Sequence, residues 1–406
     1  MHRLVLSGSI LGIFVILKGK FNKDYVSTFG TCVQSLLFEI NLTEVYLQTL
    51  NFRFFFEMDH NKLVFPLIIA LFSCSSPSPL KAQRYQVTCI GFYNLENLFD
   101  TVDDSLTFDE EFTPTGLKVW TEEKYQDKIN RLGTVIRDLG KDVTPDGVGI
   151  LGVSEIENIK VLEDLVRSKN LAEKNYKIVH YDSPDARGVD VGLLYREKFF
   201  TVLSSQSVRV DLIDEYGKPK KTRDILLVKG LIGDKKYYVS VNHWPSRRGG
   251  EKLTEKQRNQ AARINRQLAD SILNIEPDAT YLMMGDLNDN PSDYSMTKII
   301  QAKKDLKELT SHDFYNPFYK NYSTGEGTLA HDDAWGLFDQ IVFTPNALQK
   351  NPGSFYYYKN QIYRKDFMME TSGHYRNFPK RTFSGDIYNY GYSDHFPVLI
   401  YLIRPD

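Results

Sequence analysis

The sequence predicts an α/β or α+β domain in which helices cover layered β-sheets, and two kinds of segment carry that prediction. One kind is short, apolar and bounded by Gly, Pro, Asn or Asp, as buried strands are. The other kind repeats apolar residues at helical spacing between those strands. Both occur from Gln83 to Asp406, a stretch of 406 − 82 = 324 residues with no repeat, low-complexity linker or composition break, so a single domain is expected there.

The strand candidates are rich in β-branched and aromatic residues: "QVTCIGFYN", "GVGILGVSE", "YKIVHY", "VDVGLLYR", "ILLVKGLI", "KYYVSVNHW", "TYLMMGDLN", "DQIVFTP" and "FPVLIYLI". Several are apolar almost throughout, which suits strands covered on both faces. Between them, "TEEKYQDKINRLGTVIRDLG" sets Ile129, Leu132, Val135, Ile136 and Leu139 on one helical face, with Thr121 as N-cap and Gly140 as terminator. A second helix is predicted over "TEKQRNQAARINRQLADSIL", with Thr254 and Gln257 as a capping box and Ala261, Ile264, Leu268 and Ile272 as the buried stripe.

The N-terminal part follows different rules. From Met58, Lys62 precedes the apolar run Leu63 to Phe72, and a Ser/Pro segment leads to Ala82, the layout of a secretory signal over residues 58–82. The run is too short to favour a membrane span. Residues 1–57 are expected to be a non-native upstream extension or disordered, with Met58 as the real start; an N-terminal membrane anchor is the alternative. Lipidation at Cys74 after "LFSC" is a second processing route. The domain is therefore expected to be exported, whether periplasmic, secreted or lipid-anchored. Of Cys32, Cys74 and Cys89, only Cys89 would remain after cleavage at Ala82, which excludes a disulfide within the mature chain.

With 42% hydrophobic and 25% charged residues the composition is that of an ordinary soluble protein, and a formal net charge of −2 gives no global field for nucleic acid. Local chemistry must select the substrate. Polar residues gather at strand ends: Asn94 and Glu96 in "FYNLENLFD", Glu155 in "LGVSEIEN", Asn242 and His243 in "VSVNHWPSRRGG", Asp286 and Asn288 in "YLMMGDLNDNPSD", and Asp339 in "FDQIVF". "GYSDHFPV" adds Asp394 and His395 at a strand entrance. Any one of these has a bland explanation as a solvated strand end or a turn. Together they present hard oxygen donors without a Cys/His cluster, a set that suits Mg²⁺, Mn²⁺ or Ca²⁺ rather than structural zinc. A cation on a phosphate oxygen, a carboxylate for the attacking water and a histidine for the other oxygens make a phosphoester hydrolase.

At this point the chain resembles the endonuclease/exonuclease/phosphatase superfamily, whose members include deoxyribonucleases, abasic-site endonucleases, neutral sphingomyelinases and inositol polyphosphate 5-phosphatases. The motifs "YNLEN", "SEIEN", "VNHWPSR", "GDLND", "FDQIVF" and "YSDHFP" run in family order from about Val87 to Ile400. The resemblance implies a deoxyribonuclease I-like four-layer sandwich, two packed mixed sheets flanked by helices, with the site at one end. It further implies Glu155 as principal metal ligand, with Glu96 and Asp394 beside it and Asn94 near the metal or the phosphate. Asp286 would orient or activate the water, and Asn288 would hold it or a phosphate oxygen. His395, steadied by Asp339, and His243, with Asp190 as its candidate partner, would face the phosphate.

Arg187 and Arg247 are candidate substrate contacts, each weighed against a loop-capping or solvated role. Mg²⁺ or Mn²⁺ is the expected cofactor, with Ca²⁺ a further candidate, and a monomer is expected. The substrate is expected to be a phosphodiester, in an exported nuclease or phosphodiesterase. A phospholipid or an inositol or sugar phosphate is the alternative substrate, and a non-catalytic binding module the alternative class. The Tyr-rich "GSFYYYKNQIYRK" is open to two readings, a nucleic-acid-binding loop or buried and edge-strand residues.

Overall fold

Alternation along the strands decides the architecture. The computed structural model describes residues 84–214, 217–331 and 334–406, within one compact unit from Leu80 to Asp406. The expectations for 1–57, 58–82 and Cys74 lie outside the described residues. The strands of the two main sheets are β1 (Tyr85–Leu98), β2 (Val148–Ile156), β3 (Lys177–His180), β4 (Asp190–Tyr195), β5 (Thr201–Val208), β6 (Ile225–Ile232) and β7 (Lys235–His243). They continue as β8 (Thr280–Asp286), β9 (Ala302–Lys303), β10 (Phe314–Tyr315), β11 (Asp339–Phe343), β12 (Tyr356–Ile362) and β13 (Val398–Pro405). Three helices of nine residues or more accompany them among the described residues: α1 (Glu122–Asp138), α2 (Ile159–Arg167) and α3 (Glu251–Ile275).

The first sheet has the order β12-β13-β1-β2-β4-β3, and the second β9-β10-β11-β8-β7-β6-β5. Both are mixed: β1 runs parallel to β2 but antiparallel to β13, and β8 parallel to β7 but antiparallel to β11. Successive side chains point to opposite faces of a strand. Thus Ile90, Phe92, Ile150, Leu282, Met284, Ile341 and Ile400 fill a core between the sheets. Cys89, Tyr93, Leu151 and Val153 face the other way and pack with Ile129, Leu132 and Ile136 of α1 and Leu162 and Leu165 of α2. Tyr281 and Met283 turn to Ala261, Ala262 and Ala269 of α3. The result is four layers, helices outside two sheets, and each fully buried Leu or Ile between them contributes roughly 1.5–3 kcal/mol.

The sheets approach closely where β2 crosses β7 and β8. A Cβ at Gly152 would collide with the Met284 sulfur and stand 3.1 Å from Val241 Cγ1. Cys89 is free and buried.

Helix α1 matches its sequence signals. The Thr121 side chain accepts from Lys124 N, and Gly140 takes φ +80° just past the end. Helix α3 departs from them. It starts at Glu251 with Gly250 as N-cap, so Thr254 lies inside the helix and its hydroxyl donates to the Gly250 carbonyl at 2.9 Å instead of forming a capping box with Gln257. The fully buried stripe is Ala261, Ala262, Asn265 and Ala269, with Ile264, Leu268 and Ile272 half-buried beside it. The Tyr-rich segment is the edge strand β12, hydrogen-bonded to β13, rather than a loop over a ligand.

Candidate active site

The site begins with interrupted ladders. β1 leaves its parallel register with β2 between Asn94 and Leu98, and β2 slips against β4 between Ser154 and Ile156. At those slips Glu96 and Asn97 take φ +49° and Glu155 takes φ +56°. Left-handed backbone at non-glycine residues costs of order 1 kcal/mol each and is held only by surrounding contacts. Here Asn94 Oδ1 accepts from Glu96 N at 2.9 Å, and Glu155 Oε2 accepts from Asn97 N at 3.0 Å. In the second sheet the ladder stays regular. It sets His243, Asp286 and Asp339 side by side on β7, β8 and β11.

Asp286 Oδ2 is the meeting point. Asn94 Nδ2 donates to it at 3.1 Å, His243 Nε2 stands 3.7 Å away, and His395 Nε2 stands 3.9 Å away. His243 Nε2 is also 3.7 Å from Glu155 Oε1, and His395 Nε2 is 3.8 Å from Asp394 Oδ1. Asp339 Oδ2 holds His395 Nδ1 at 2.7 Å. Asn288, at φ +49°, donates its N–H to Asp286 Oδ1 at 3.0 Å and its side-chain amide to the Trp244 carbonyl at 3.0 Å.

The electrostatics divide the titratable groups into roles. Burial pushes the Asp286 carboxyl up to about 7, with His395 opposing and Asp339 and Glu155 adding to the shift. Burial acts downward on His395, but the charge and hydrogen bond of Asp339, with Asp286 and Asp394, hold it well above the ordinary histidine range. His243 goes the other way: burial, then Arg223, Arg187 and His395, push it well below. The surroundings thus favour the charged form of His395 and the neutral form of His243.

A model of the "Endonuclease/Exonuclease/phosphatase family" matches residues 89–404. The chain belongs to the endonuclease/exonuclease/phosphatase family. Family members are divalent-cation-dependent hydrolases of phosphoesters. Among solved structures, a humanized D. rerio TDP2 with 14 mutations matches with a TM-score of 0.46 and 12% identity, over 78% of this chain and 98% of that one. The family protein from Bacteroides vulgatus matches with a TM-score of 0.46 and 14% identity, over 78% and 98%. C. elegans TDP2 matches with a TM-score of 0.44 and 14% identity, over 78% and 75%. No curated protein matches the sequence significantly.

Of the residues that the family resemblance singled out, Asn94, Glu155, His243, Asp286, Asn288, Asp339, Asp394 and His395 converge as described. Glu96 stands behind them: its Oε2 accepts from Thr382 N and Oγ1 at 2.7 Å each and faces Lys128 Nζ at 3.7 Å. Asp190 does not serve His243. Its Oδ2 is 2.9 Å from His180 Nε2 and its Oδ1 accepts from Ser183 N at 2.9 Å and from the Ser183 hydroxyl, while His243 Nδ1 is buried with no hydrogen-bond partner among the described residues. The expected His243–Asp190 pair is therefore replaced by a His180–Asp190 pair, because β3 brings His180 beside the start of β4.

Arg247 is likewise corrected from substrate contact to scaffold. Its Nε donates to the Asn288 carbonyl at 2.8 Å, and its Nη2 pairs with Asp289 at 3.2 Å and Asp293 at 2.5 Å, which consumes the donors a substrate would need. Arg187 stays available, its side chain 43% exposed with one loose contact to Asp185 at 3.7 Å. Its loop is anchored by the buried Arg223, which bonds Asp185 Oδ2 at 3.0 Å and the carbonyls of His243 and Trp244.

Four contributors escaped the sequence reading: Lys128, Arg223, Arg381 and Thr382. Lys128 had left a signal, a lysine on the apolar face of α1 between Tyr125 and Leu132. Its ammonium is fully buried and donates to the carbonyls of Glu96 and Tyr392, at 3.1 and 3.2 Å, and to the Thr382 hydroxyl.

A divalent cation fits this donor set. Glu96, Asp394 and Glu155 lie close enough to Lys128 for their charges to act on it, Arg381 pairs with Asp394, and burial with the Asp394 charge drives Glu96 as well up to about 7. Burial is the main cause of both upward shifts, and a cation bound beside such buried carboxyls would favour their ionised form. Glu155 and Asp394 offer hard oxygens at the mouth, and Glu96 and Asn94 stand behind them.

Proposed function

We propose that the chain is a divalent-cation-dependent phosphodiesterase, an exported nuclease or related phosphodiesterase, using Mg²⁺ or Mn²⁺. The observation that carries this reading is the approach of two imidazole Nε2 atoms, those of His243 and His395, to one Asp286 oxygen at 3.7 and 3.9 Å. Two imidazole Nε2 atoms and one carboxylate oxygen converging this closely can face a single phosphate and its attacking water from one side, with groups in complementary protonation states.

In the mechanism that follows, Asp286 orients the attacking water and accepts its proton, with a carboxyl near 7 suited to that task at neutral pH. Asn94 Nδ2 fixes the Asp286 oxygen and, with Asn288 N–H on the other oxygen, keeps the carboxylate in one orientation. His395 carries its proton on Nε2 toward the phosphate, since Asp339 holds Nδ1, and that proton stabilises an oxygen that gains charge or passes to the leaving group. His243, neutral, offers a hydrogen bond without adding charge. A divalent cation held by Glu155 and Asp394 would supply Lewis-acid polarisation and charge neutralisation at the phosphate.

Support for export comes from the layout of residues 58–82 alone. N-terminal sequencing of the protein from the exported fraction tests it: a start near Gln83 agrees with signal cleavage, a retained N-terminus contradicts cleavage at Ala82, and absence of the protein from that fraction contradicts export. A panel of plasmid, single-stranded DNA, RNA, bis-p-nitrophenyl phosphate, sphingomyelin and inositol phosphates tests the activity. Cation-dependent cleavage of a diester, lost in His395→Ala, is expected. Turnover of only sphingomyelin or of monoesters would overturn the nuclease assignment.

A further inference from the structure

Arg381 lies outside every motif quoted above and takes no part in the steps just described. It belongs to the segment between β12 and β13, where its backbone is fixed from several sides. The next residue, Thr382, is 3% exposed and clamps Glu96 through both its N–H and its hydroxyl. The Arg381 carbonyl packs so closely on Gly391 that a Cβ there would collide with it, and Asn389 Nδ2 donates to the same carbonyl at 3.3 Å. A side chain rooted in so rigid a backbone is presented at a defined place.

That place is the mouth of the acid cluster. Arg381 Nη2 stands 3.0 Å from Asp394 Oδ2, while Asp394 Oδ1 stands 3.8 Å from His395 Nε2. The guanidinium is therefore one carboxylate away from the imidazole that faces the phosphate. Its side chain remains 51% exposed, so donors are left over after the Asp394 contact. Arg187 is close enough for its charge to act on the other imidazole, His243. A planar fork of N–H donors beside a general acid suits an incoming phosphate, which it meets with charge-assisted, paired hydrogen bonds.

We infer that Arg381 is a substrate-contacting residue that binds a non-bridging oxygen of the scissile phosphate. The inference rests on the phosphodiesterase reading. The alternative role is confined to Asp394: an arginine that only neutralises this carboxylate would change cation affinity and, through Asp394, the titration of His395, but not phosphate binding at saturating Mn²⁺.

The test compares wild type with Arg381→Met and Arg381→Lys at saturating Mn²⁺, using bis-p-nitrophenyl phosphate as substrate and inorganic phosphate as inhibitor. Calorimetry measures Mn²⁺ and phosphate binding in the same proteins. Loss of an ionic hydrogen bond predicts a kcat/KM lower by roughly 10- to 100-fold and phosphate binding weaker by a similar factor in Arg381→Met, with partial recovery in Arg381→Lys. Arg381→Ala should regain activity when guanidinium ion is added. A change in Mn²⁺ affinity with unchanged phosphate inhibition would overturn the inference. Should wild type cleave no diester, the functional reading falls, and phosphate calorimetry on the Mn²⁺-loaded proteins still decides the role of Arg381.

Discussion

Asp286 and His395 hold opposite protonation tasks within one cluster, and their substitution should separate those tasks. Asp286→Asn and His395→Ala are each expected to lower kcat by about 10²- to 10⁴-fold, the range of a lost proton-transfer group. Steady-state turnover of bis-p-nitrophenyl phosphate reads this, and full activity in either variant would refute the assigned roles. Asp339→Asn removes the negative charge that holds His395 above its ordinary range, so the alkaline limb of the pH–rate profile should move to lower pH. An unmoved limb would place the alkaline group elsewhere. These residues were legible because each stands in a short motif at a strand end. Asp190 and Arg247 were misread for a common reason: a motif tells which residue arrives at the site but not which neighbour captures it on the way. His180 and Ser183 take Asp190, and Asp289, Asp293 and the Asn288 carbonyl take Arg247.

Among the elements, strands buried on two faces were legible, as was the edge strand β3 with its β-branched run, but the edge strand β5 was not. β8 is apolar from Tyr281 to Met284 and announces itself, whereas β5, "TVLSSQSV", is half-exposed along its length and carries no apolar pattern to find. The start of α3 was misplaced because Thr254 bonds back to the Gly250 carbonyl, a use of the hydroxyl that competes with capping and has the same sequence signature. Packing between the sheets sets its own test. Gly152→Ala places a methyl group against Met284 and Val241, and the overpacking should destabilise the fold by about 1–3 kcal/mol in denaturant titration. A neutral result would show that the sheets can separate at that point without loss.

For the whole molecule, the gathering of carboxylates predicts how stability responds to pH and to cations. Asp286 and Glu96 ionise near 4 in an unfolded chain but near 7 in the folded one. Between those values the folded state binds more protons, so stability falls as pH rises through that window. In chelator, the melting temperature should drop from about pH 5 to pH 8, and Mn²⁺ should raise it more at the upper pH, where the carboxylates are free to bind. A cation effect equal at both ends would contradict a site built on these groups. The layered fold was legible because helix and strand periods alternate along the chain. The buried charge network beneath the site was not, because Lys128, Thr382 and Glu96 are joined across 286 positions of sequence.

The left-handed residues at the strand ends, Glu96, Asn97, Glu155 and Asn288, carry a consequence for engineering. Conformational relief and catalytic competence compete at these positions. Asn97→Gly and Asn288→Gly ease the backbone, and the second removes an active-site side chain as it does so. A screen that selects on heat resistance alone will therefore enrich changes here that harden the scaffold while emptying it of chemistry, so thermostabilisation of this enzyme is safest when the search is confined to the far end of the sandwich.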